Sequence, residues 1–243
     1  MTGPNRSTAV MQRRVEAHDS LDDFPTPPWA TRALCEFLAS QGLPLGKLTG
    51  WEPCCNRGYM VLPMREYLAF VRASDVVRYP DWVLGDEPEL IDFATTGHTE
   101  PMVDVIVANP PFNLGEAFIH VALGRARVAV AMFVRSAFVE GENRYERLYS
   151  KRPPDFELHF AERVVILRGR LVQAGKLDPF ADKPGTKAST ATSYSWLVWM
   201  IGGAGDTRAR WIAPCRRRLE RPGDYPVYPT AVLAPGGMFG AVA

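Results

Sequence analysis

The sequence has little of what marks membrane, secreted or zinc-binding proteins. Its longest apolar stretches, such as 128–134, are much shorter than the roughly 18 residues that a membrane span needs, and the amino terminus lacks the apolar core of a signal peptide. Only four cysteines are present, and their spacing matches neither a zinc site nor a disulfide framework; they are Cys35, Cys54, Cys55 and Cys215. We therefore expect a cytoplasmic protein with reduced thiols, no membrane partner and no metal.

The composition does not indicate a disordered chain. The 243 residues are 47% apolar and 23% charged, as in folded proteins that bury a substantial core. Residues 1–20 are polar and show no sustained apolar period, so they are predicted to form a flexible arm. One folded domain is expected over 21–205, followed by a basic extension over 206–243.

Net charge is nearly absent, but the two halves of the chain differ in sign. Against a total of +1, residues 1–120 hold 9 Lys and Arg and 16 Asp and Glu, whereas residues 121–243 hold 19 and 11. A basic half beside an acidic half is typical of proteins that bind nucleic acid. Two solvated faces whose charges cancel explain the same numbers, and charge alone does not choose between them.

Apolar segments of strand length alternate with segments of helical period along the domain. Strands are predicted at 48–52, 71–75, 103–108, 128–134, 163–167 and 195–201. Helices are predicted at 28–38, with Thr26 as the cap, and at 60–70, 115–124 and 142–151. The stretch 169–193 is rich in Lys, Gly, Pro and Thr and is predicted to be a long mobile loop. This alternation favours an open α/β sheet with helices on both faces, in which ligands bind at the carboxyl ends of the strands.

The sharpest motif is Asn109-Pro110-Pro111-Phe112, directly after the predicted strand 103–108. The two prolines restrict the backbone, so the Asn109 carboxamide and the Pro110 carbonyl are expected to be held as fixed hydrogen-bond acceptors. The Phe112 ring offers a face for stacking. Together these groups suit a planar substrate that carries an NH₂ group.

With this motif the sequence resembles the class I S-adenosylmethionine-dependent methyltransferases, and among them the DNA N6-adenine methyltransferases. The resemblance covers 22–201, and its elements occur in the expected order. The family's cofactor loop is similar to Glu52-Pro53-Cys54-Cys55-Asn56-Arg57-Gly58, except that Asn56 stands where the family usually has its first glycine. Asn is the non-glycine residue that best tolerates the left-handed region, so the turn is expected to survive. The family's segment that closes over the methionine end of the cofactor is similar to Phe24-Pro25-Thr26-Pro27.

The resemblance implies one Rossmann-like methyltransferase domain with a mostly parallel seven-stranded sheet, and S-adenosylmethionine as its cofactor. The residues implied to bind the cofactor are Phe24, Thr26, Glu52, Pro53, Cys54, Asn56, Gly58, Asp75, Asp92, Phe93 and Asn109. The residues implied to act in catalysis are Asn109, Pro110, Pro111 and Phe112. In this interpretation Asn109 and the Pro110 carbonyl accept the two hydrogens of adenine N6, which frees its lone pair to attack the methyl group.

The implied substrate is DNA. A base inside a duplex cannot reach such a pocket, so the target adenine must be flipped out or single-stranded, and stacked on Phe112. Arg135, Ser136 and Phe138 follow the strand 128–134, where the fold places more pocket residues, and Phe138 is expected to line the target side. Phosphate contacts are predicted at Arg144, Arg147, Arg216 and Arg217. The short spacing between the cofactor loop and Asn109 leaves no room for a separate recognition domain, so we expect short or relaxed sequence specificity, as in enzymes of phages, mobile elements and restriction-modification systems.

Two other interpretations stay open. The same motif serves methyltransferases of this fold that act on RNA or on a protein glutamine amide, because each of those substrates also carries a planar NH₂ group. The alternative from another class of function is a non-catalytic nucleic-acid binding module on a degenerate methyltransferase fold. The basic half favours nucleic acid over a protein amide, and a binding module has no need for the motif at 109–112.

Overall fold

A computed structural model describes residues 22–228. The predicted arm at 1–20 lies outside these residues, as do residues 229–243 of the predicted extension. The helices described are α1 (Pro28–Ser40), α2 (Val61–Tyr67), α3 (Phe93–Thr96), α4 (Gly115–Arg125), α5 (Glu142–Arg144) and α6 (Arg216–Leu219). The strands described are β1 (Thr49–Glu52), β2 (Phe70–Asp75), β3 (Glu89–Leu90), β4 (Val103–Ala108), β5 (Ala126–Arg135), β6 (Phe156–Phe160), β7 (Tyr194–Met200) and β8 (Arg208–Ile212).

The eight strands described form one sheet in the order β3-β2-β1-β4-β5-β7-β6-β8. Neighbouring strands run parallel except β7, which is antiparallel to both β5 and β6. The mostly parallel α/β sheet is as predicted, but it has eight strands where seven were expected. Strand β8 follows residue 205, so the segment predicted as a basic extension contributes a strand to the same sheet.

Alternating side chains of the central strand β5 build the core on both faces of the sheet. Ala129, Ala131 and Phe133 belong to one apolar cluster, which also holds the buried side chains of α1 and α2. Val130 and Met132 belong to a second cluster, which holds those of α3 and α4. Helices therefore cover both faces, as predicted for a sheet of this class.

Most predicted elements form close to their expected ends, among them α1, α4, β4 and β7. Thr26 does not cap α1: the helix begins after Pro27, and Thr26 Oγ1 accepts a hydrogen bond from Asn109 instead. The helix predicted at 60–70 ends at Tyr67, because the chain becomes extended at Leu68 and Phe70 begins β2. The helix predicted at 142–151 begins as α5 and continues as a π-helix over Tyr145–Tyr149.

The strand predicted at 163–167 is wrong. The strand in this part of the chain is β6, and the residues after it form an irregular segment. Val164, Val165 and Ile166 are buried there without joining the sheet. A short apolar run indicates burial, and burial alone does not distinguish a strand from a buried connection.

The stretch 169–193 contains no helix and no named strand, as predicted for a loop. An isolated bridge between Leu177 and Lys187 joins its two arms, and Val172 and Ala188 pack with Val165 in a small third apolar cluster. Within residues 22–228 no helix is both long and apolar enough to cross a membrane.

Candidate active site

A cavity opens at the carboxyl ends of β1, β2 and β4, where the strand order reverses along the sheet. Crevices at such reversals are the usual ligand sites of open α/β sheets. The cavity has a volume of about 140 Å³. The predicted cofactor residues that line it are Phe24, Thr26, Glu52, Pro53, Cys54, Asn56, Asp75, Asp92 and Asn109.

Glu52 reaches the cavity from the end of β1. It is 1% exposed, its Oε2 has no hydrogen-bond partner among the described residues, and its Oε1 accepts only a weak bond from the Cys54 thiol at 3.5 Å. Burial raises the pKa of Glu52 well above its usual range, and the negative charge of Asp75 raises it further. Because an unpaired buried carboxyl oxygen is costly, this position suits a ligand that brings a cation or a hydrogen-bond donor.

Asp75 holds the loop that follows β1. Its Oδ2 accepts a hydrogen bond from the Asn56 backbone N–H at 2.8 Å, and its Oδ1 accepts one from the Val76 backbone at 2.8 Å. Burial raises the pKa of Asp75, while these backbone hydrogen bonds oppose the shift. Asn56 has φ +51° and donates from Nδ2 to Asp23, so the left-handed turn forms here without glycine.

The carboxamide of Asn109 is oriented by two hydrogen bonds. Its Nδ2 donates to the Phe24 carbonyl and to Thr26 Oγ1, both at 2.9 Å. Rotating the carboxamide would break both bonds, so Oδ1 is held in one direction. Within residues 22–228 no hydrogen bond reaches this Oδ1 or the Pro110 carbonyl. Two fixed acceptors on adjacent residues suit a substrate with two N–H hydrogens on one nitrogen.

The Cys54 thiol connects the loop after β1 to the Asn-Pro-Pro motif. It donates to the Asn109 carbonyl at 3.3 Å and to Glu52 at 3.5 Å. Burial raises the pKa of Cys54 well above its usual value, so the thiol stays protonated and able to donate.

Phe112 lines a second cavity, which adjoins the first at Pro111. Its ring packs against Phe24, with ring centroids 5.1 Å apart, and the Arg135 guanidinium lies 3.8 Å from the Phe112 centroid. The second cavity is lined by Phe112, Arg135, Phe138 and Arg144 together with both prolines of the motif. Phe138 therefore shares the second cavity with Phe112 and does not line the cavity of the carboxylates.

Solved structures of similar architecture place this site in a known fold. The protein described as the modification subunit of a type I restriction enzyme from Vibrio vulnificus matches with a TM-score of 0.54 and 15% identity, over 84% of this chain and 50% of its own. A protein described as a class I S-adenosylmethionine-dependent methyltransferase from Listeria monocytogenes matches with a TM-score of 0.54 and 10% identity, over 82% and 68%. This chain has the class I methyltransferase fold.

A third similar structure is smaller. The Pyrococcus horikoshii protein described as an RNA methyltransferase matches with a TM-score of 0.52 and 15% identity, over 79% of this chain and 97% of its own. By contrast, the chain spans about half the length of the Vibrio protein. No protein-family model matches the sequence, and no curated protein matches it. The structural match to these proteins shows a shared methyltransferase fold, whereas identities of 10–15% leave the substrate open.

Two residues predicted to bind the cofactor do not line the cavity. Gly58 has φ +90°, and a Cβ there would lie 2.9 Å from the Trp82 ring, so Gly58 shapes the turn. Phe93 is 1% exposed and packs edge to face on Trp51 at 4.9 Å. The ligand contact predicted for Phe93 is corrected accordingly: as the first residue of α3 it turns into the core, whereas its neighbour Asp92 faces the cavity.

The arginines predicted to contact phosphate are mostly occupied elsewhere. Arg144 lines the second cavity, but one of its terminal nitrogens donates to the Phe138 carbonyl at 2.6 Å. Arg147 pairs with Glu116 at 2.7 Å, and Arg216 donates to Glu220 at 3.3 Å. Arg217 is exposed on α6 and lines none of these cavities. The structure therefore does not bring these four side chains to one surface.

The cavity also contains residues that no motif indicated, among them Tyr59, Tyr79 and Asn113. Tyr59 follows Gly58 and Asn113 follows Phe112, so extending each motif by one residue would have found them. Tyr79 packs under the Arg57 guanidinium at 4.7 Å, a contact that no local pattern predicts. Among residues 22–228 no group of three or more His, Cys, Asp or Glu side chains is arranged for a metal.

Proposed function

We propose that this chain is an S-adenosylmethionine-dependent methyltransferase that methylates N6 of adenine in DNA. The observation that carries the proposal is the orientation of Asn109. Both N–H groups of its carboxamide are engaged by Phe24 and Thr26, so its Oδ1 remains as a fixed acceptor in the first cavity, and the Pro110 carbonyl remains without a hydrogen bond among residues 22–228 on the next residue, which lines the second cavity. A non-catalytic nucleic-acid binding module would not need this arrangement.

The cavity residues fit S-adenosylmethionine. The unpartnered Oε2 of Glu52 suits the cationic amine of the cofactor's methionine part. Asp75 Oδ2 accepts one backbone hydrogen bond and Oδ1 accepts two, and the remaining lone pair of Oδ2 suits a ribose hydroxyl. When bound, the cofactor supplies an electrophilic methyl group on its sulfonium.

The proposed role of the motif is to prepare the amine for attack. Adenine N6 is a weak nucleophile because its lone pair is delocalised into the ring. Hydrogen bonds from N6 to Asn109 Oδ1 and to the Pro110 carbonyl draw the nitrogen toward tetrahedral geometry and so localise the lone pair. With S-adenosylmethionine bound, its methyl group would be transferred to this lone pair, and the proton that the nitrogen then loses would pass to water. Positioning supplies most of the acceleration, so no strongly basic side chain is required.

DNA is favoured as the substrate by one of the similar structures and by the sequence. The Vibrio protein is described as part of a restriction enzyme, and such enzymes act on DNA. The aromatic residue of the motif is Phe112, which the resemblance associates with adenine in DNA. RNA is the second candidate, because the Pyrococcus protein is described as an RNA methyltransferase.

The test is direct product analysis. Purified protein is incubated with S-adenosylmethionine and unmethylated genomic DNA, which is then digested to nucleosides and examined for N6-methyladenine by mass spectrometry. Asn109→Ala should lower product formation by more than about 100-fold, because it removes a hydrogen bond made in the transition state. Asn143→Ala, at an exposed position on α5, is the matched control and should retain full activity.

Cofactor affinity distinguishes a wrong choice of substrate from the absence of a cofactor site. Calorimetry with S-adenosylmethionine should give a Kd for Asn109→Ala within about tenfold of the wild type, since the loss lies in transition-state stabilisation. Cofactor binding without product on DNA would redirect the assay to RNA and protein amides. The absence of both cofactor binding and methylated product would favour the binding module.

A further inference from the structure

Arg135 is a partly buried cation that has no anionic partner among residues 22–228. It ends β5 and lies against the Phe112 ring at 3.8 Å. Its Nε is buried and has no hydrogen-bond partner, and within residues 22–228 its side chain makes neither a hydrogen bond nor an ion pair. Withdrawing a charge from water without pairing it is costly, so this guanidinium is placed for an anion that residues 22–228 do not supply.

The cavity on the other side of Arg135 supports an anionic ligand. None of the eleven residues that line it is acidic, and three of them are Arg135, Arg168 and Arg170. Arg170 is neutralised by Asp178 at 2.7 Å, whereas Arg135 contacts the Phe112 ring of the motif. Ser189 and Thr190 add hydroxyl groups to the same lining.

This lining is held in place by hydrogen bonds between distant segments. Arg163 donates to the Ala191 carbonyl at 3.0 Å and to Ser193 Oγ at 2.6 Å. The backbone of Ser136, next to Arg135, donates to the Ser193 carbonyl at 2.9 Å. The end of the long loop is thereby fixed against the end of β5, and Thr190 Oγ1 is held by a hydrogen bond from the Thr192 backbone at 3.1 Å.

We propose that Arg135, together with the hydroxyls of Ser189 and Thr190, binds the phosphate of the target nucleotide. The planar guanidinium fork matches phosphate oxygens, and hydroxyl donors complete such sites. The position also suits this role: Arg135 contacts the Phe112 ring of the motif, and Phe24 lines both this cavity and the one that holds Asn109, so the two cavities adjoin. The inference rests on the proposed function and narrows it, because a neutral glutamine amide offers nothing to this charge.

The salt dependence of nucleic-acid binding tests the site. Binding of a fluorescein-labelled single-stranded oligodeoxynucleotide is followed by anisotropy over a salt series for the wild type and Arg135→Gln. The variant should bind roughly tenfold more weakly at low salt, since it loses a charged hydrogen bond. Its slope of log K against log salt should be smaller by about 1, because one phosphate contact is lost.

Two further variants separate charge from structure. Arg127→Gln, at an exposed site near the other end of β5, is the matched control and should keep the wild-type slope. Arg135→Lys keeps the charge and loses the fork, so it should retain the slope while binding more weakly. If Arg135 only supported Phe112, Arg135→Gln would lower methyl transfer with an unchanged slope, and that result would overturn the proposal.

Methylation of genomic DNA by the same preparations distinguishes a failure of the phosphate site from a failure of the proposed methyltransferase function. If the wild type methylates DNA but Arg135→Gln does not change the slope of log K against log salt, the phosphate site is contradicted and the enzyme assignment stays intact. If Arg135→Gln changes the slope of log K against log salt but the wild type methylates no DNA, the phosphate site is supported and the proposed function is contradicted.

Discussion

Replacing Glu52 by Gln is expected to weaken binding of S-adenosylmethionine while stabilising the free protein. Glu52 is 1% exposed, and its Oε2 has no hydrogen-bond partner among the described residues. In the free protein its negative charge is therefore destabilising, and a neutral Gln of nearly the same shape removes it. In the proposed complex the same charge pairs with the cofactor's amine, which Gln cannot do.

The magnitudes follow from the missing partners. A hydrogen bond between charged groups contributes about 1.5–3 kcal/mol, so its loss should raise the Kd for the cofactor by roughly 10- to 100-fold. An unsatisfied buried polar atom costs about 1–3 kcal/mol, and Gln keeps an unpaired amide in the same place. The free energy of unfolding without ligand should therefore rise by about 1 kcal/mol at neutral pH, the lower end of that range.

The effect should depend on pH in a defined direction. Burial and the charge of Asp75 raise the pKa of Glu52 in the folded protein, so the folded state holds this proton more tightly than the unfolded state does. The stability that this tightly held proton of Glu52 contributes is fully present below the ordinary glutamate pKa, about 4.3, and is lost as the pH rises through the raised pKa. Unfolding free energies of Glu52→Gln and wild type should thus converge at acid pH and separate at higher pH. Cofactor affinity of the wild type should change the other way and increase as Glu52 ionises.

Calorimetry with S-adenosylmethionine and urea unfolding, both over a pH series, measure the two effects. Glu140→Gln changes an exposed glutamate and should alter neither. Equal cofactor affinity of Glu52→Gln and wild type would refute the proposed ion pair. A lower unfolding free energy of Glu52→Gln at neutral pH would refute the destabilising role of the buried charge.

Two further substitutions test the contacts behind the site. Thr26→Val should lower kcat by roughly tenfold, with a smaller effect on cofactor affinity, because the Asn109 amide loses one of the two bonds that orient it. Methyl-transfer kinetics check this, and Thr26→Ser, which restores the hydroxyl, should recover the rate. Arg32→Ala should lower the free energy of unfolding by about 3–5 kcal/mol, because Arg32 is buried between Glu66 and Asp224 and both carboxylates lose that partner. Urea denaturation measures this loss, and a variant as stable as the wild type would contradict it.

Local patterns in the sequence were enough to locate the candidate site. Apolar strands directly precede Glu52, Asp75 and Asn109, and the carboxyl ends of neighbouring parallel strands meet at one edge of a sheet. These three side chains therefore had to approach one another, and the structure brings them to one cavity. The left-handed turn at Asn56 was also predictable, because the φ preference of a residue is a local property.

Orientation within short segments needed the tertiary structure. Asp92 and Phe93 are adjacent in sequence, yet one faces the cavity and the other packs on Trp51. Thr26 has the residue type of a helix cap, but its hydroxyl is taken by Asn109, 83 positions further along the chain. The segment 163–167 has the composition of a strand, yet Val164, Val165 and Ile166 are buried outside the sheet.

The sequence by itself determined the alternating α/β architecture and the chemistry at the strand ends, because periodicity and turn preferences act over a few residues. Only the tertiary structure decided which charges are neutralised, because a carboxylate partner comes from any distance along the chain. Arg147 and Arg216 are paired in this way, whereas Arg135 lies beside Phe112 with no such partner among residues 22–228. That difference moves the expected phosphate contact from the basic carboxyl-terminal segment to the edge of the candidate active site.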